Sequence, residues 1–142
     1  MAIQEHPAKG TLLLCRFEPG FEAPEMVNRR PVVVVSPKIG ARPGLCTVVA
    51  ISTQQPSKLM PYRYKLRPLT PNLPHPYNAE TNWIKGDMIY AVGFSRLDFF
   101  HSKKLNSGKR KYRFDVLPDD EMKNIQRCIL AGLGLGKLTK HL

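Results

Sequence analysis

Arg30-Pro31-Val32-Val33-Val34-Val35-Ser36-Pro37 is the stretch on which the fold turns. Four β-branched residues in succession, with a proline near each end, describe a short strand without a polar face. Such a strand is stable only where both faces are covered, so residues 31–36 are expected in the middle of a sheet. Two guanidinium groups, Arg29 and Arg30, stand at its rigid start rather than on a mobile tip.

Working outward, residues 11–17 form a second apolar strand, bounded by Gly10 and by Pro19-Gly20. Residues 45–52 alternate, with Cys46, Val48, Ala50 and Ser52 on one face and Thr47, Val49 and Ile51 on the other. Residues 62–66 interleave Tyr62 and Tyr64 with Arg63 and Lys65, one face apolar and the other positive. The proline-rich residues 68–76 cannot join a central sheet and are expected as an extended surface loop. Gly86 splits two short strand candidates, 82–85 and 87–92, and Trp83 is read as a core aromatic. Residues 94–97 end the core strands, and 112–116 return as an edge strand. A helix starts near Pro118, where Asp119, Asp120 and Glu121 face the positive end of its dipole. Met122, Ile125, Ile129 and Leu133 recur at helical spacing on one face, and Gly132, Gly134 and Gly136 stop the helix.

The sum is a mainly β chain, a small bent antiparallel sheet or barrel with one C-terminal α-helix. With 142 residues it is expected as a single domain, 1–142, with an N-terminal arm over 1–9, a basic loop or hairpin insertion over 99–113 and a mobile tail over 134–142. No glycine-rich turn links a strand to a helix, which excludes a Rossmann or P-loop fold. No apolar run approaches the roughly 20 residues of a membrane span. Cys15, Cys46 and Cys128 sit in apolar stretches at unrelated spacings, as buried thiols of a reducing compartment do, and the expected location is the cytoplasm.

The charge names a partner. The net charge is +11, and the acids are segregated. Between Glu25 and Glu80 every charged residue is basic, including Arg29, Arg30, Lys58, Arg63, Lys65 and Arg67. The same holds between Asp98 and Asp115. A phosphodiester chain binds such surfaces by releasing counterions, whereas a lipid surface would call for basic residues on one face of an apolar helix. The candidate site follows from the strand order. If residues 31–36 and 45–52 pair antiparallel, the Arg29-Arg30 start of one abuts the Ser52-Thr53-Gln54 end of the other. The scattered acids and the loop histidines His6, His75, His101 and His141 show no metal-ligand spacing, and no Gly-x-Ser-x-Gly elbow is present. No metal or other cofactor is expected.

These residues resemble the PemK/MazF family of toxin endoribonucleases. The resemblance is carried by Gly10-Thr-Leu-Leu-Leu-Cys-Arg-Phe17, by Arg30-Pro31 through Ser36-Pro37, and by Val48-Val-Ala-Ile-Ser52-Thr53-Gln54. It continues through Asp87-Met88-Ile89, Arg96-Leu97 and the C-terminal helix, covering roughly residues 9–134. Two positions depart from the pattern: Ser52 stands where the family carries its catalytic threonine, and Met88 where a glutamine is usual. The resemblance implies a PemK/CcdB-like, SH3-like barrel, and sequence-specific, metal-independent cleavage of single-stranded RNA by attack of a 2′-hydroxyl on the adjacent phosphorus. It also implies a homodimer, and an antitoxin whose acidic segment occupies the RNA groove.

On that reading Arg30, Ser52, Thr53 and Glu25 are the catalytic residues. Arg30 stabilises the charged transition state, a hydroxyl of Ser52 or Thr53 orients the phosphate, and Glu25 accepts the 2′-hydroxyl proton. Arg29, Gln54, Lys58, Tyr62, Arg63, Tyr64, Lys65, Lys85, Asp87 and Arg96 are the RNA-binding candidates. Two alternatives stay open: a non-catalytic barrel that binds RNA or protein, and a same-fold poison of a topoisomerase.

Overall fold

The computed structural model describes residues 2–101 and 108–142, so Lys103, Lys104, Asn106 and Ser107 of the basic segment lie outside the described residues. The valine run forms β2 (Arg29–Val34), flanked in the sheet by β1 (Leu12–Arg16) and β3 (Leu45–Ser52). β4 (Arg63–Lys65), β5 (Trp83–Gly93) and β6 (Leu97–Asp98) complete an antiparallel sheet in the order β4-β5-β3-β2-β1-β6. Of the two forms expected, open sheet or barrel, the chain adopts the open sheet, with β4 and β6 at its edges.

Both faces of β2 are covered. Val32 and Val34 join Leu13, Cys15 and Val48 in one apolar cluster, while Val33 joins Leu12, Val49 and Ile84 in another. Helix α1 (Asp119–Gly132) closes the second cluster with Met122, Ile125 and Cys128 and packs across β5 and β4. Each of the three valines is fully buried, worth roughly 1.5–3 kcal/mol apiece relative to exposure.

Three expectations are corrected. Residues 82–92 are not two strands: β5 runs unbroken through Gly86. The β3–β5 register jumps from Val49↔Ile89 to Ala50↔Lys85, so the chain around Gly86 is accommodated as a bulge. Residues 112–116 are not an edge strand: among the described residues they make the isolated bridges His101↔Tyr112 and Thr11↔Val116. On the side of β1 away from β2, β6 already pairs with Leu14 and Cys15, and the 112–116 segment bridges that side at Thr11. Leu133 lies just past the end of α1 and is exposed, off the apolar face it was assigned to. Beyond it, Gly136–His141 winds into a 3₁₀ helix.

The three cysteines are buried free thiols. Burial pushes Cys15 up from 9.0 to about 12, and Cys46 and Cys128 to about 11. The native thiols therefore keep their protons at pH values where an unfolded chain loses them. Their contribution to stability is complete below about pH 9 and is lost as pH rises through 9 to 12, at about 1.4 kcal/mol per pH unit for each thiol. Urea unfolding is thus expected to show a midpoint that falls steeply between pH 9 and pH 11. A flat midpoint over that interval would contradict this account of the core.

Candidate active site at the sheet end

The site is built by register. Val32 pairs with Ala50, so two residues further on Arg30 comes opposite Ser52 at the end of the sheet. There Arg30, Ser52, Thr53, Gln54 and Lys85 line one cavity of about 350 Å³. Its apolar wall is Met26, Pro31, Ile51, Pro76 and Tyr77. A second cavity of about 530 Å³ shares Ser52, Gln54 and Lys85 with the first and adds Lys58, Tyr62, Arg63 and Trp83, so the two form a continuous groove.

Arg30 is exposed but not loose. Its Nε donates to the carbonyl of Val27 at 3.2 Å, which orients the planar fork, and among the described residues its two terminal nitrogens have no partner. Ser52 is half-buried, and its Oγ accepts the backbone N–H of Gln54 at 3.1 Å. That bond occupies a lone pair and leaves the hydroxyl proton to donate. Thr53 is exposed and lines only the smaller cavity.

Lys85 is half-buried where the two cavities meet. Burial lowers its pKa from the ordinary lysine value; the neighbouring charge of Arg63 lowers it further, and that of Arg30 adds to this against the opposing pull of Asp87. Asp87 is ion-paired with Arg63, and the Arg63 guanidinium lies 4.8 Å from the centre of the Tyr62 ring. Among the described residues no carboxylate lines either cavity. The groove is cationic, with hydroxyl and amide groups and three aromatic residues, Tyr62, Trp83 and Tyr77, in its lining.

Several candidates lie elsewhere. Tyr64 alternates away from Arg63 toward α1, where its hydroxyl donates to the buried carboxylate of Glu121 and accepts from Asn124 Nδ2 at 3.0 Å. Lys65 is exposed on β4 and lines neither cavity. Glu25 is exposed and accepts the N–H of Glu22 at 2.9 Å. Arg29 and Arg96 line a separate pocket, and Arg96 spends its guanidinium on the carbonyls of Arg16 and Pro19 at 3.0 and 2.9 Å.

Two aromatic residues of the groove escaped the sequence reading. Trp83, read as core, lines the larger cavity, and the period-two alternation that puts Trp83, Lys85 and Asp87 on one side of a strand is the signal that could have found it. Tyr77 reaches the smaller cavity from the end of the proline-rich loop, where no local pattern marks it.

Fold and groove together define a class, a small antiparallel-sheet protein with a cationic, hydroxyl-bearing groove at one sheet end. The family model of the PemK-like, MazF-like toxins of type II toxin-antitoxin systems matches residues 8–133, and the chain belongs to that family. An uncharacterized protein of Haemophilus influenzae is 28% identical, over 97% of this chain and 98% of that one. Among solved structures, an endoribonuclease in complex with its cognate antitoxin from a mycobacterial species superposes with a TM-score of 0.58 at 19% identity, over 91% of this chain and 96% of that one. MazF from Deinococcus radiodurans gives 0.57 at 18%, over 92% and 99%. Among the described residues no helix is long and apolar enough to cross a membrane.

Proposed function

We propose that this toxin is a metal-independent endoribonuclease that cuts single-stranded RNA in a sequence-specific manner in the cytoplasm. It works as a homodimer, silenced by an antitoxin whose acidic segment fills the groove. The observation that carries the reading is the cavity shared by Arg30, Ser52 and Lys85, with the Arg30 fork unpartnered among the described residues.

The RNA brings its own nucleophile. Attack of a 2′-oxygen on the adjacent phosphorus builds a phosphorane with added negative charge, and expulsion of the 5′-oxygen leaves a 2′,3′-cyclic phosphate. Arg30 donates two parallel hydrogen bonds to the non-bridging oxygens, stronger in the transition state than in the ground state. Ser52 fixes the phosphate through its hydroxyl. Lys85, with its lowered pKa, is placed to give a proton to the departing 5′-oxygen. Glu25 lines neither cavity and its carboxylate accepts the amide of Glu22, so on this reading the 2′-hydroxyl proton passes to water unless the loop brings Glu25 over the RNA. Tyr62, with Arg63 beside it, gives an unpaired base an aromatic face and a cation.

The test is incubation of purified protein with mixed single-stranded RNA in EDTA. Expected products carry cyclic phosphate and 5′-hydroxyl ends. Retention of intact RNA would favour the binding-module alternative, and inhibition of DNA supercoiling without either result would favour the topoisomerase poison. The same assay ranks the hydroxyls: Ser52→Ala is expected to be slower than Thr53→Ala by at least about tenfold, roughly 1.4 kcal/mol of barrier. Equal rates for the two variants remove Ser52 from the mechanism.

A further inference from the structure

Arg16 and Arg29 are directly opposite one another in the β1–β2 ladder. Like charges in that position weaken an antiparallel pair, yet both side chains are exposed, and among the described residues neither makes an ion pair or a hydrogen bond. They line a pocket of about 200 Å³ whose rim also holds Arg96, Asp98 and His101. Arg96 is a wall rather than a donor there, because its guanidinium is already tied to the carbonyls of Arg16 and Pro19. Asp98 is the one carboxylate of the lining, so the pocket keeps a positive balance and two planar forks with their hydrogen-bond donors unspent.

The location gives this pocket a use. β3, β2 and β1 are consecutive in the sheet, and their ends place Ser52, then Arg30 with Arg29, then Arg16 along one margin. Neighbouring strands are about 4.8 Å apart, so Arg16 stands about 10 Å from Ser52 across the sheet. Alternation turns the side chains of Arg29 and Arg16 to the opposite face from those of Arg30 and Ser52. A strand of phosphates held at Arg30 therefore meets them by turning over the end of β2. We propose that Arg16 and Arg29 form a second phosphate subsite, which binds the backbone of the same RNA one or two nucleotides from the bond cut at Arg30. This rests on the ribonuclease reading and names where its substrate continues.

The test compares a diribonucleotide, which has only the scissile phosphate, with an oligoribonucleotide extended on both sides. For Arg16→Ala/Arg29→Ala the ratio of KM on the oligomer to KM on the dinucleotide is expected to rise about tenfold. The slope of log KM against log salt is expected to fall by about 0.7, the value for one single-strand phosphate contact. Single methylphosphonate replacements along the oligomer should raise KM at one flanking position in the wild type and have no effect there in the variant. Because the substitutions relieve a like-charge pair, the thermal midpoint should be unchanged or higher; should the double variant not fold, Arg16→Gln and Arg29→Gln carry the same comparison singly. An unchanged KM ratio and salt slope overturn the subsite while leaving cleavage at Arg30 standing. A wild type that cuts neither substrate overturns the ribonuclease reading and the subsite with it. Loss of affinity for an oligoglutamate peptide alone, with RNA parameters intact, assigns the pocket to an acidic protein partner and likewise overturns the proposal.

Discussion

Arg30→Ala is expected to slow RNA cleavage by about 10³-fold while the protein stays folded. The size follows from what the side chain is free to do. Nε is held by the Val27 carbonyl, so the fork is aimed before substrate arrives and its two terminal nitrogens are unspent. Removing one pre-aimed donor from a developing oxyanion costs about 10²–10³ in rate, and this residue supplies two such donors together with a full charge. The structural cost is small by comparison. Arg30 is exposed, and the single bond to Val27 is worth about 1 kcal/mol. Arg30→Lys restores charge without the planar fork and is expected to recover only part of the rate, remaining about tenfold to a hundredfold below wild type. Single-turnover rates at saturating RNA in EDTA, with the thermal midpoint recorded beside them, make the check. An alanine variant within about tenfold of wild type, equally stable, would take the guanidinium out of the chemistry.

That Arg30 and Ser52 meet was legible in the sequence because sequential strands tend to be neighbours, and an antiparallel pair joins the start of one to the end of the other. The valine run and the two-sided alternation of residues 45–52 fixed the middle of the sheet for the same local reason: unbroken β-branched residues have nowhere to be but under cover on both faces. What escaped was set by partners distant in sequence. Tyr64 and Lys65 looked equivalent to Tyr62 and Arg63, but α1 presents Glu121 and Asn124 to one side of β4 and captures Tyr64 there. Arg96 looked like a free cation and is a tie for the end of β1 and the loop at Pro19. Tyr77 enters the groove from a loop whose path no periodicity encodes. Whether a bent sheet closes into a barrel depends on pairing between its first and last edges, and neither short edge strand, β4 or β6, announces its neighbour by composition.

Gly86 was the most misleading residue of the sequence, and its substitution is the second large effect. A glycine inside a β-rich run suggests a break, but it can also mark a place where another backbone comes close. Here the second cause operates. A Cβ built on Gly86 would lie 2.5 Å from the carbonyl oxygen of Cys128 and 2.6 Å from its carbonyl carbon, and one on Gly132 would lie 2.9 Å from the Gly86 oxygen. Helix and strand thus touch backbone to backbone at two points one helical turn apart. Neither neighbour is the end of a flexible side chain, so Gly86→Ala must push α1 off β5 and loosen Met122, Ile125 and Cys128 from the second core cluster. Overpacking of this kind costs about 3 kcal/mol, a fall of roughly 10 °C in thermal midpoint for a chain this long. Gly40→Ala is the control, because nothing lies within 4 Å of the added methyl, and its midpoint should match wild type. The displacement also reaches the groove, since Gly86 stands between Lys85, which lines both cavities, and Asp87, which pairs with Arg63. Cleavage by Gly86→Ala at a temperature where it is still fully folded is therefore expected to be slower than wild type, whereas a variant weakened only in its core would cut normally until it melted. A Gly86→Ala protein that melts within about 2 °C of wild type would mean that α1 is not held where this contact puts it.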